Sequence, residues 1–314
     1  MNNSLNDHHP FQINGDKIFT HDGIEIGKLI NDVYVLQDEE DYADDFGTQW
    51  AAFPKTQLDS HSGTSISEDR LREIFQSDLS ELKGKRILEI GCGSGRFTEI
   101  LLKHGAYVDS LDLSKAIFVN YENNADKSKM VRFIKSDFLK VPLDKNFYDY
   151  VLGMGFVQHT PNSEETIKKM IYHCKKGGFV VFDHYISGIF VGNNRRLVAS
   201  LMRNLILNLN IKDKIRFIKG MYNFFYPIHK FFKFSSFLSK IVRTISPITT
   251  HHGSLNLSDK QFYEWGLLDT HDNLTDFYSH KMSIKQMDNL LSRIDIQSFK
   301  TSKGTNGINV EILK

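Results

Sequence analysis

The order of apolar segments between residues 67 and 185 constrains the fold of this chain more than any other feature of its sequence. Short runs that are nearly continuous in apolar residues alternate there with segments whose apolar residues have helical spacing. Strands of the first kind are buried on both faces, and alternation with helices joins such strands in parallel. The pattern therefore predicts an α/β fold, in which a mostly parallel sheet is covered by helices on both sides.

The segments follow each other without an internal repeat. Strands are predicted over 85–91, 106–112, 131–137, 147–155 and 177–185, and helices over 68–77, 95–104, 163–174 and 283–295, with one more helix capped by Ser114. Two closing strands surround the sequence GTNG, whose Asn306-Gly307 step suits a tight turn. We therefore expect a Rossmann-like sheet of seven strands, mostly parallel, with an antiparallel strand from the C-terminal hairpin.

Four zones are predicted along the chain. Residues 1–66 form a polar N-terminal extension or lid, with short strands near 17–36 and an aromatic segment, FGTQWAAFPKTQLDS, at 46–60. Residues 67–185 form the α/β core, and residues 186–265 form a basic helical insertion, or cap, after the fifth strand of that core. Residues 266–314 complete the core with the closing hairpin.

Composition excludes several classes of protein. The chain has 39 basic and 38 acidic residues, so its net charge of +1 does not indicate a nucleic-acid partner. Its cysteines, Cys92 and Cys174, are too few for a disulfide framework or a four-cysteine zinc site, and we predict no metal. Because the sequence has neither a signal-peptide pattern nor about 18 consecutive apolar residues, we expect a cytoplasmic protein.

The insertion has a different charge balance from the rest of the chain. Residues 186–247 contain eleven lysines and arginines, one acid, Asp213, and many interleaved aromatic residues. One interpretation is a helical cap whose basic face is merely solvated. The other is a surface that binds a phosphate-bearing substrate or makes peripheral contact with an anionic membrane.

The segment ILEIGCGSGRFT, at 87–98, places three glycines at the predicted turn from the first core strand to its helix. Glycines there allow a sharp turn and let a ligand approach the backbone closely. A dinucleotide-binding turn requires a third glycine where this chain has Arg96, and Glu89 has the wrong sign for a pyrophosphate. A carboxylate suits a cationic ligand better, and S-adenosylmethionine carries both an ammonium and a sulfonium group.

Five segments between 85 and 185 resemble, in the same order, those of class I S-adenosylmethionine-dependent methyltransferases. In that family, the segment matching EIGCGSG lies beneath the methionine part of the cofactor. The resemblance implies that Asp112 accepts the ribose hydroxyls, that Asp137 meets the adenine amino group and that Phe138 packs near its ring. It also implies that Met154 borders the cofactor through its backbone. The predicted cofactor-binding residues are Glu89, Gly91, Gly93, Gly95, Asp112, Leu113, Asp137, Phe138 and Met154.

Each assignment has a structural alternative. The glycines also suit an ordinary tight turn, the two aspartates also suit strand ends, and Phe138 also suits the core. The segment FGTQWAAFPKTQLDS resembles one that precedes the core in bacterial methyltransferases of surface-polysaccharide and related small-molecule pathways. Its Trp50, Phe53 and Gln57 either close over the cofactor or pack the extension on the core.

A histidine near the strand ends is the natural base for a hydroxyl acceptor. His159 follows the fourth core strand, at the edge where open α/β sheets bind ligands, and is the predicted catalytic residue. The alternative is that His159 only fixes its loop. His184, Tyr185 and His280 are weaker candidates.

Three functions fit the sequence. The first is methyl transfer from S-adenosylmethionine to a small-molecule acceptor, such as a hydroxyl of a sugar, nucleotide-linked sugar or lipid-linked glycan, whose phosphates the insertion would meet. The second is RNA or DNA methylation, which the sequence GMGF after the fourth strand and the lack of a recognisable RNA-binding module disfavour. The third is a regulatory protein that binds the cofactor without catalysis.

Overall fold

The computed structural model describes residues 10–36, 44–127, 129–187, 193–232, 234–251 and 257–314. Its strands are β1 Gln12–Asn14, β2 Lys17–Phe19, β3 Glu25–Ile30, β4 Val33–Val35, β5 Arg86–Ile90, β6 Tyr107–Asp112, β7 Val131–Lys135, β8 Tyr148–Gly153, β9 Cys174–His184, β10 Ser298–Gly304 and β11 Gly307–Leu313. Its helices are α1 Asp44–Ala52, α2 Asp59–Ser62, α3 Ile66–Phe75, α4 Arg96–Lys103, α5 Ala116–Asn124, α6 Ser163–His173, α7 Asn193–Ile206, α8 Ile211–Phe232, α9 Ser236–Ile245, α10 Asp259–Thr275 and α11 Ile284–Leu291.

The described strands form one sheet in the order β1-β2-β3-β4-β7-β6-β5-β8-β9-β11-β10. Pairing is parallel from β4 through β9, and the closing hairpin adds β11 and β10 antiparallel to β9. The seven predicted core strands are therefore present, but the prediction of a seven-stranded, mostly parallel sheet was incomplete. The sheet has eleven strands and is mixed, because four N-terminal strands extend it beyond β7.

Both faces of the sheet are covered, as expected for parallel strands. Successive residues of a strand point to opposite faces, so Leu88 joins one apolar cluster and Ile87 the other. The first cluster includes Met170 of α6 and Leu291 of α11, and the second includes residues of α3, α4 and α5. The α/β prediction is confirmed by this arrangement.

A buried ion pair lies within the sheet. Arg132 on β7 donates from Nε and Nη2 to the two carboxylate oxygens of Asp109 on β6, at 2.6 and 2.7 Å. Tyr148 on β8 donates its hydroxyl proton to Asp109 Oδ2 at 2.6 Å. Burial opposes the charge on Arg132, but the adjacent carboxylate outweighs this effect and raises the pKa of the guanidinium.

The chain divides into two compact units. The first consists of Met1–Pro54, Ser65–Ser187 and Tyr278–Lys314 and contains the sheet. The second consists of Lys55–Thr64 and Gly188–Phe277 and contains α2 and α7 to α10. Within this second unit, the fully buried ring of Tyr222 packs so closely on α10 that a Cβ at Gly266 would lie 2.1 Å from its hydroxyl oxygen.

Candidate active site

The glycine loop lies directly after β5 in the first unit. Gly91, Gly93 and Gly95 have φ values of 67°, 54° and 87°, a region that favours glycine. A Cβ at Gly91 would lie 2.5 Å from the ring of Phe156, and one at Gly93 would lie 2.9 Å from Trp50 Nε1. The bare backbone of these two glycines is therefore covered by aromatic side chains.

The third glycine serves a different purpose. A Cβ at Gly95 would lie 2.0 Å from Oδ1 of Asn120, which is buried on α5. The missing side chain at this position thus allows the loop to pack against α5. Gly95 therefore allows a close contact with α5, whereas Gly91 and Gly93 lie beneath aromatic side chains.

Glu89, near the end of β5, is almost fully buried, and two hydroxyl groups donate hydrogen bonds to it. Its Oε2 accepts hydrogen bonds from Thr98 at 2.5 Å and from Ser110 at 3.1 Å. Its Oε1 is buried and has no hydrogen-bond partner among the described residues. Burial raises the pKa of Glu89 to about 7, although both hydroxyl bonds lower it. A buried acceptor left over in this way fits a ligand that brings a positive charge or an N–H donor.

Asp112, at the end of β6, holds two loops together. Its Oδ2 accepts the backbone N–H of Gly93 at 2.9 Å, and its Oδ1 accepts the N–H and hydroxyl of Ser114 at 2.9 and 2.7 Å. Burial raises the pKa of this carboxyl group. A carboxylate offers about four acceptor positions, so about one remains for a ligand hydroxyl.

A cleft opens past the ends of β6, β7 and β8. It contains about 290 Å³ of empty space, part of it open to solvent. Asp137 lies on its wall, accepts the backbone N–H of Leu139 at 2.9 Å and forms an ion pair with Lys140 at 3.5 Å. The remaining lining residues are mainly apolar: Leu111, Leu113, Ser136, Phe138, Leu139, Phe156, Thr160 and Pro161.

Phe138 belongs both to the cleft and to the core. Its side chain is 3% exposed, and its ring meets that of Phe156 edge-on, with centroids 6.1 Å apart. It also lies 5.8 Å from the ring of His173, whose pKa burial lowers to about 4. An apolar cleft with a carboxylate on its wall suits a flat ring that carries an amino group.

The segment after β8 is held by the buried carboxylate of Asp183. The N–H of Gly155 donates to Oδ1 of Asp183 at 2.5 Å, and Asp183 also accepts bonds from Arg70 and from Asn306, the latter at 3.0 Å. Met154 itself is buried in the second apolar cluster. Asp183 was not predicted as a site residue, and the available signal was an acid at the end of an apolar strand.

His159 lies in the turn of 3-10 helix that follows, next to the cleft residues Thr160 and Pro161. Its Nδ1 is 3.0 Å from the carbonyl oxygen of Tyr278, and its ring meets Tyr185 edge-on at 5.2 Å. Because a carbonyl only accepts hydrogen bonds, Nδ1 carries the proton and Nε2 is the basic nitrogen. These two contacts fix the tautomer and the orientation of the ring.

The other histidine candidates are tied to the backbone and to side chains. His184 is fully buried, with Nδ1 at 3.0 Å from the carbonyl of Tyr185 and Nε2 at 3.4 Å from the Ser163 hydroxyl. Burial lowers the pKa of His184. His280 bonds through Nε2 to the carbonyl of Thr160 at 3.0 Å. Both side chains thus support the turn that carries His159.

The aromatic segment 46–60 is divided between the two units. Trp50 on α1 lies over Gly93, and the N-terminal half of α1 approaches α5 so closely that a Cβ at Gly47 would lie 3.1 Å from the N of Lys115. Gln57 belongs to the second unit, where its amide donates to Asp269 at 3.2 Å. Of the three predicted lid residues, the structure therefore brings Trp50 to the glycine loop.

Residues 88–182 match the model of the family described as "Methyltransferase domain". This segment runs from β5 into β9 and contains the three carboxylates Glu89, Asp112 and Asp137. The match agrees with the parallel strands and with the cleft at their carboxyl ends. The segment 88–182 is therefore similar to a methyltransferase domain.

Known proteins resemble parts of the chain. The ubiquinone biosynthesis O-methyltransferase of Coxiella burnetii is 31% identical over 118 residues, which are 37% of this chain and 50% of the relative. The enzyme of the same name from Nitrosospira multiformis is 30% identical over 145 residues, 45% of this chain and 59% of the relative. The chain thus spans about half the length of these curated relatives. A structure of Haemonchus contortus phosphoethanolamine N-methyltransferase 1 is 22% identical, with a TM-score of 0.35 over 47% of this chain and 33% of that one.

Proposed function

We propose that this chain transfers a methyl group from S-adenosylmethionine to a hydroxyl group of a small-molecule acceptor. The observation that carries the proposal is the placement of Glu89, Asp112 and Asp137 at the ends of three neighbouring strands, around the glycine loop and the cleft. Two curated relatives are named O-methyltransferases, which supports oxygen as the methylated atom.

Each of these side chains would bind a different part of S-adenosylmethionine. Asp112 would accept a ribose hydroxyl, Asp137 an amino group of the adenine ring, and Phe138 would pack on that ring. Glu89 would face the cationic amino-acid part with its remaining oxygen. When bound, S-adenosylmethionine supplies an electrophilic methyl group on a sulfonium, so positioning the acceptor in line accounts for much of the rate.

His159 would accept the proton of the acceptor hydroxyl at Nε2. The hydrogen bond from Nδ1 to the carbonyl of Tyr278 holds this tautomer, and the Tyr185 ring limits rotation of the imidazole. A positioned base contributes about 100-fold or more to such a rate.

The acceptor class we propose is a sugar, a nucleotide-linked sugar or a lipid-linked glycan. The names of the relatives bring a second class, a precursor in ubiquinone biosynthesis. RNA methylation and cofactor binding without catalysis are the competing functions, and the same assay separates all four.

The assay incubates the purified chain with methyl-labelled S-adenosylmethionine and one acceptor fraction at a time. The fractions are nucleotide-linked sugars, a lipid extract that contains glycan and quinone precursors, and total RNA. We expect label on oxygen of a small molecule, located by mass spectrometry. Replacing His159 with alanine should lower turnover about 100-fold or more at nearly unchanged cofactor affinity. The control is His21→Ala, at an exposed histidine between β2 and β3. Label in RNA, or in no fraction, would contradict the proposal, and unchanged turnover in His159→Ala would remove this histidine as the base.

A further inference from the structure

Helices α8 and α9 of the second unit expose large apolar side chains to solvent. Along α8, Phe217, Phe224 and Phe231 recur every seven residues, so they lie along one side of the helix, and all three are exposed. Soluble proteins rarely expose a large contiguous apolar patch without a function for it.

The end of α8, the turn after it and one face of α9 carry the most exposed large apolar side chains of the described residues. Phe231, Phe234 and Phe237 are 76%, 87% and 71% exposed. On α9, Ile241 and Ile245 continue the spacing of Phe237 at four-residue steps and are also exposed. Four residues return to the same helix face, so α9 turns an apolar stripe to solvent. We call the exposed apolar residues from Phe231 to Ile245 the aromatic edge.

Basic side chains flank the aromatic edge. Lys240 and Arg243 lie on α9 and are exposed, whereas Lys230, just before the edge, forms an ion pair with Asp259 at 2.7 Å. Residues 186–247 carry eleven basic residues and a single acid, Asp213. An exposed apolar stripe in a net positive segment is typical of helices that lie in the interface of an anionic membrane.

The positive charge of this segment also argues against other binding partners for the aromatic edge. A second copy of this chain would bring an equally positive surface, and the two copies would repel each other. A nucleic acid would neutralise the charge but would gain little from aliphatic side chains such as Ile241 and Ile245. Among the described helices, none is both long and apolar enough to cross a bilayer.

We propose that the aromatic edge docks peripherally on an anionic lipid surface, with its phenylalanines among the acyl chains and its basic residues among the headgroups. The proposal concerns the second unit alone and does not depend on methyl transfer. It selects one of the two interpretations that the basic composition of the insertion left open.

Sedimentation with vesicles tests the proposal on the full-length chain. We expect binding to vesicles of equimolar phosphatidylcholine and phosphatidylglycerol, weak binding to phosphatidylcholine alone, and weaker binding at high salt. The double variant Phe234→Ser/Phe237→Ser should bind about tenfold less tightly because it loses buried apolar area. Its control is Ile24→Ser, at an exposed apolar residue of the first unit.

A second pair of variants tests the charge. Lys240→Glu/Arg243→Glu should also lower binding about tenfold or more, whereas Lys176→Glu, at an exposed lysine of the first unit, should not. Thermal unfolding verifies that each variant is folded.

Three results would overturn the proposal: no binding to either vesicle, equal binding by variants and controls, or self-association without lipid that the same substitutions abolish. Cofactor affinity, measured separately by calorimetry, reports on the proposed function, so the two proposals can fail independently.

Discussion

Glu89 is a carboxyl group with little access to water and one oxygen without a partner among the described residues. Thr98 and Ser110 donate to its other oxygen, and Asn120 in turn donates to both hydroxyl oxygens, at 2.9 and 2.8 Å. This network fixes the side chain, while burial raises its pKa to about 7. A fixed carboxyl group that changes charge near neutral pH makes ligand binding sensitive to pH.

Cofactor affinity should therefore rise between pH 6 and pH 8. Below about pH 7, Glu89 is mostly protonated, and a cationic ligand group must displace that proton; above it, the carboxylate is already present. Calorimetry in buffers of different ionisation enthalpy should detect proton release on binding at pH 6. Glu89→Gln should bind more weakly and lose this dependence. An identical pH profile in the variant would assign the titration to another group.

Sequence patterns predict some site residues better than others. Asp112 and Asp137 end predicted strands and Glu89 lies near the end of another, and the carboxyl ends of parallel strands meet at one edge of a sheet. Phe156 and Asp183 were not predicted because their roles depend on the path of the loop after β8. Only the folded chain shows that Phe156 covers Gly91 and that Asp183 accepts the N–H of Gly155.

At the scale of elements, α1 is the segment that covers the glycine loop. It carries Trp50, whose indole lies over Gly93, and Gly47 lets its backbone approach the start of α5. A ligand that approaches the backbone at Gly93 must meet this indole. If the N-terminal extension closes over the cofactor, as predicted, Trp50 on α1 is the candidate residue. The strands of the extension, β1 to β4, lengthen the sheet instead.

Binding of S-adenosylmethionine should change the tryptophan fluorescence of the protein. The chain has two tryptophans, and Trp265 is buried on α10 of the second unit, away from the glycine loop in sequence. We expect Trp265→Phe to retain the change and Trp50→Phe to lose most of it. If Trp50→Phe retained the full change, α1 would not act as a cover.

The ion pair between β6 and β7 is a structural element without a role in the site. Asp109→Ala should destabilise the fold by about 3–5 kcal/mol because it leaves a buried guanidinium without its carboxylate. Urea unfolding measures this loss. The matched control, Glu164→Ala, removes an exposed ion pair with Lys168 and should leave the unfolding midpoint nearly unchanged. Equal losses of unfolding free energy in the two variants would mean that the buried ion pair contributes no more to stability than the exposed one.

At the scale of the whole molecule, the alternation of strands and helices was sufficient to predict the α/β core. Short strands were also predicted near 17–36, where β2 to β4 lie, but their place in the same sheet was not. Their membership in the sheet depends on the pairing of β4 with β7, which no local pattern encodes. The insertion's basic composition was visible in the sequence, but its outward-facing phenylalanines were not.

The central claim is that the glycine loop and the neighbouring cleft bind S-adenosylmethionine, and that the Asp112 carboxylate beside the loop accepts a ribose hydroxyl. Titration calorimetry on the wild type, Asp112→Ala and Asp126→Ala tests it most directly, since Asp126 is an exposed acid shortly after α5. We predict binding by the wild type and by Asp126→Ala, and affinity about tenfold or more lower in Asp112→Ala, because a hydrogen bond to a charged group is lost. Equal affinity in all three proteins, or no binding by the wild type, would contradict the account.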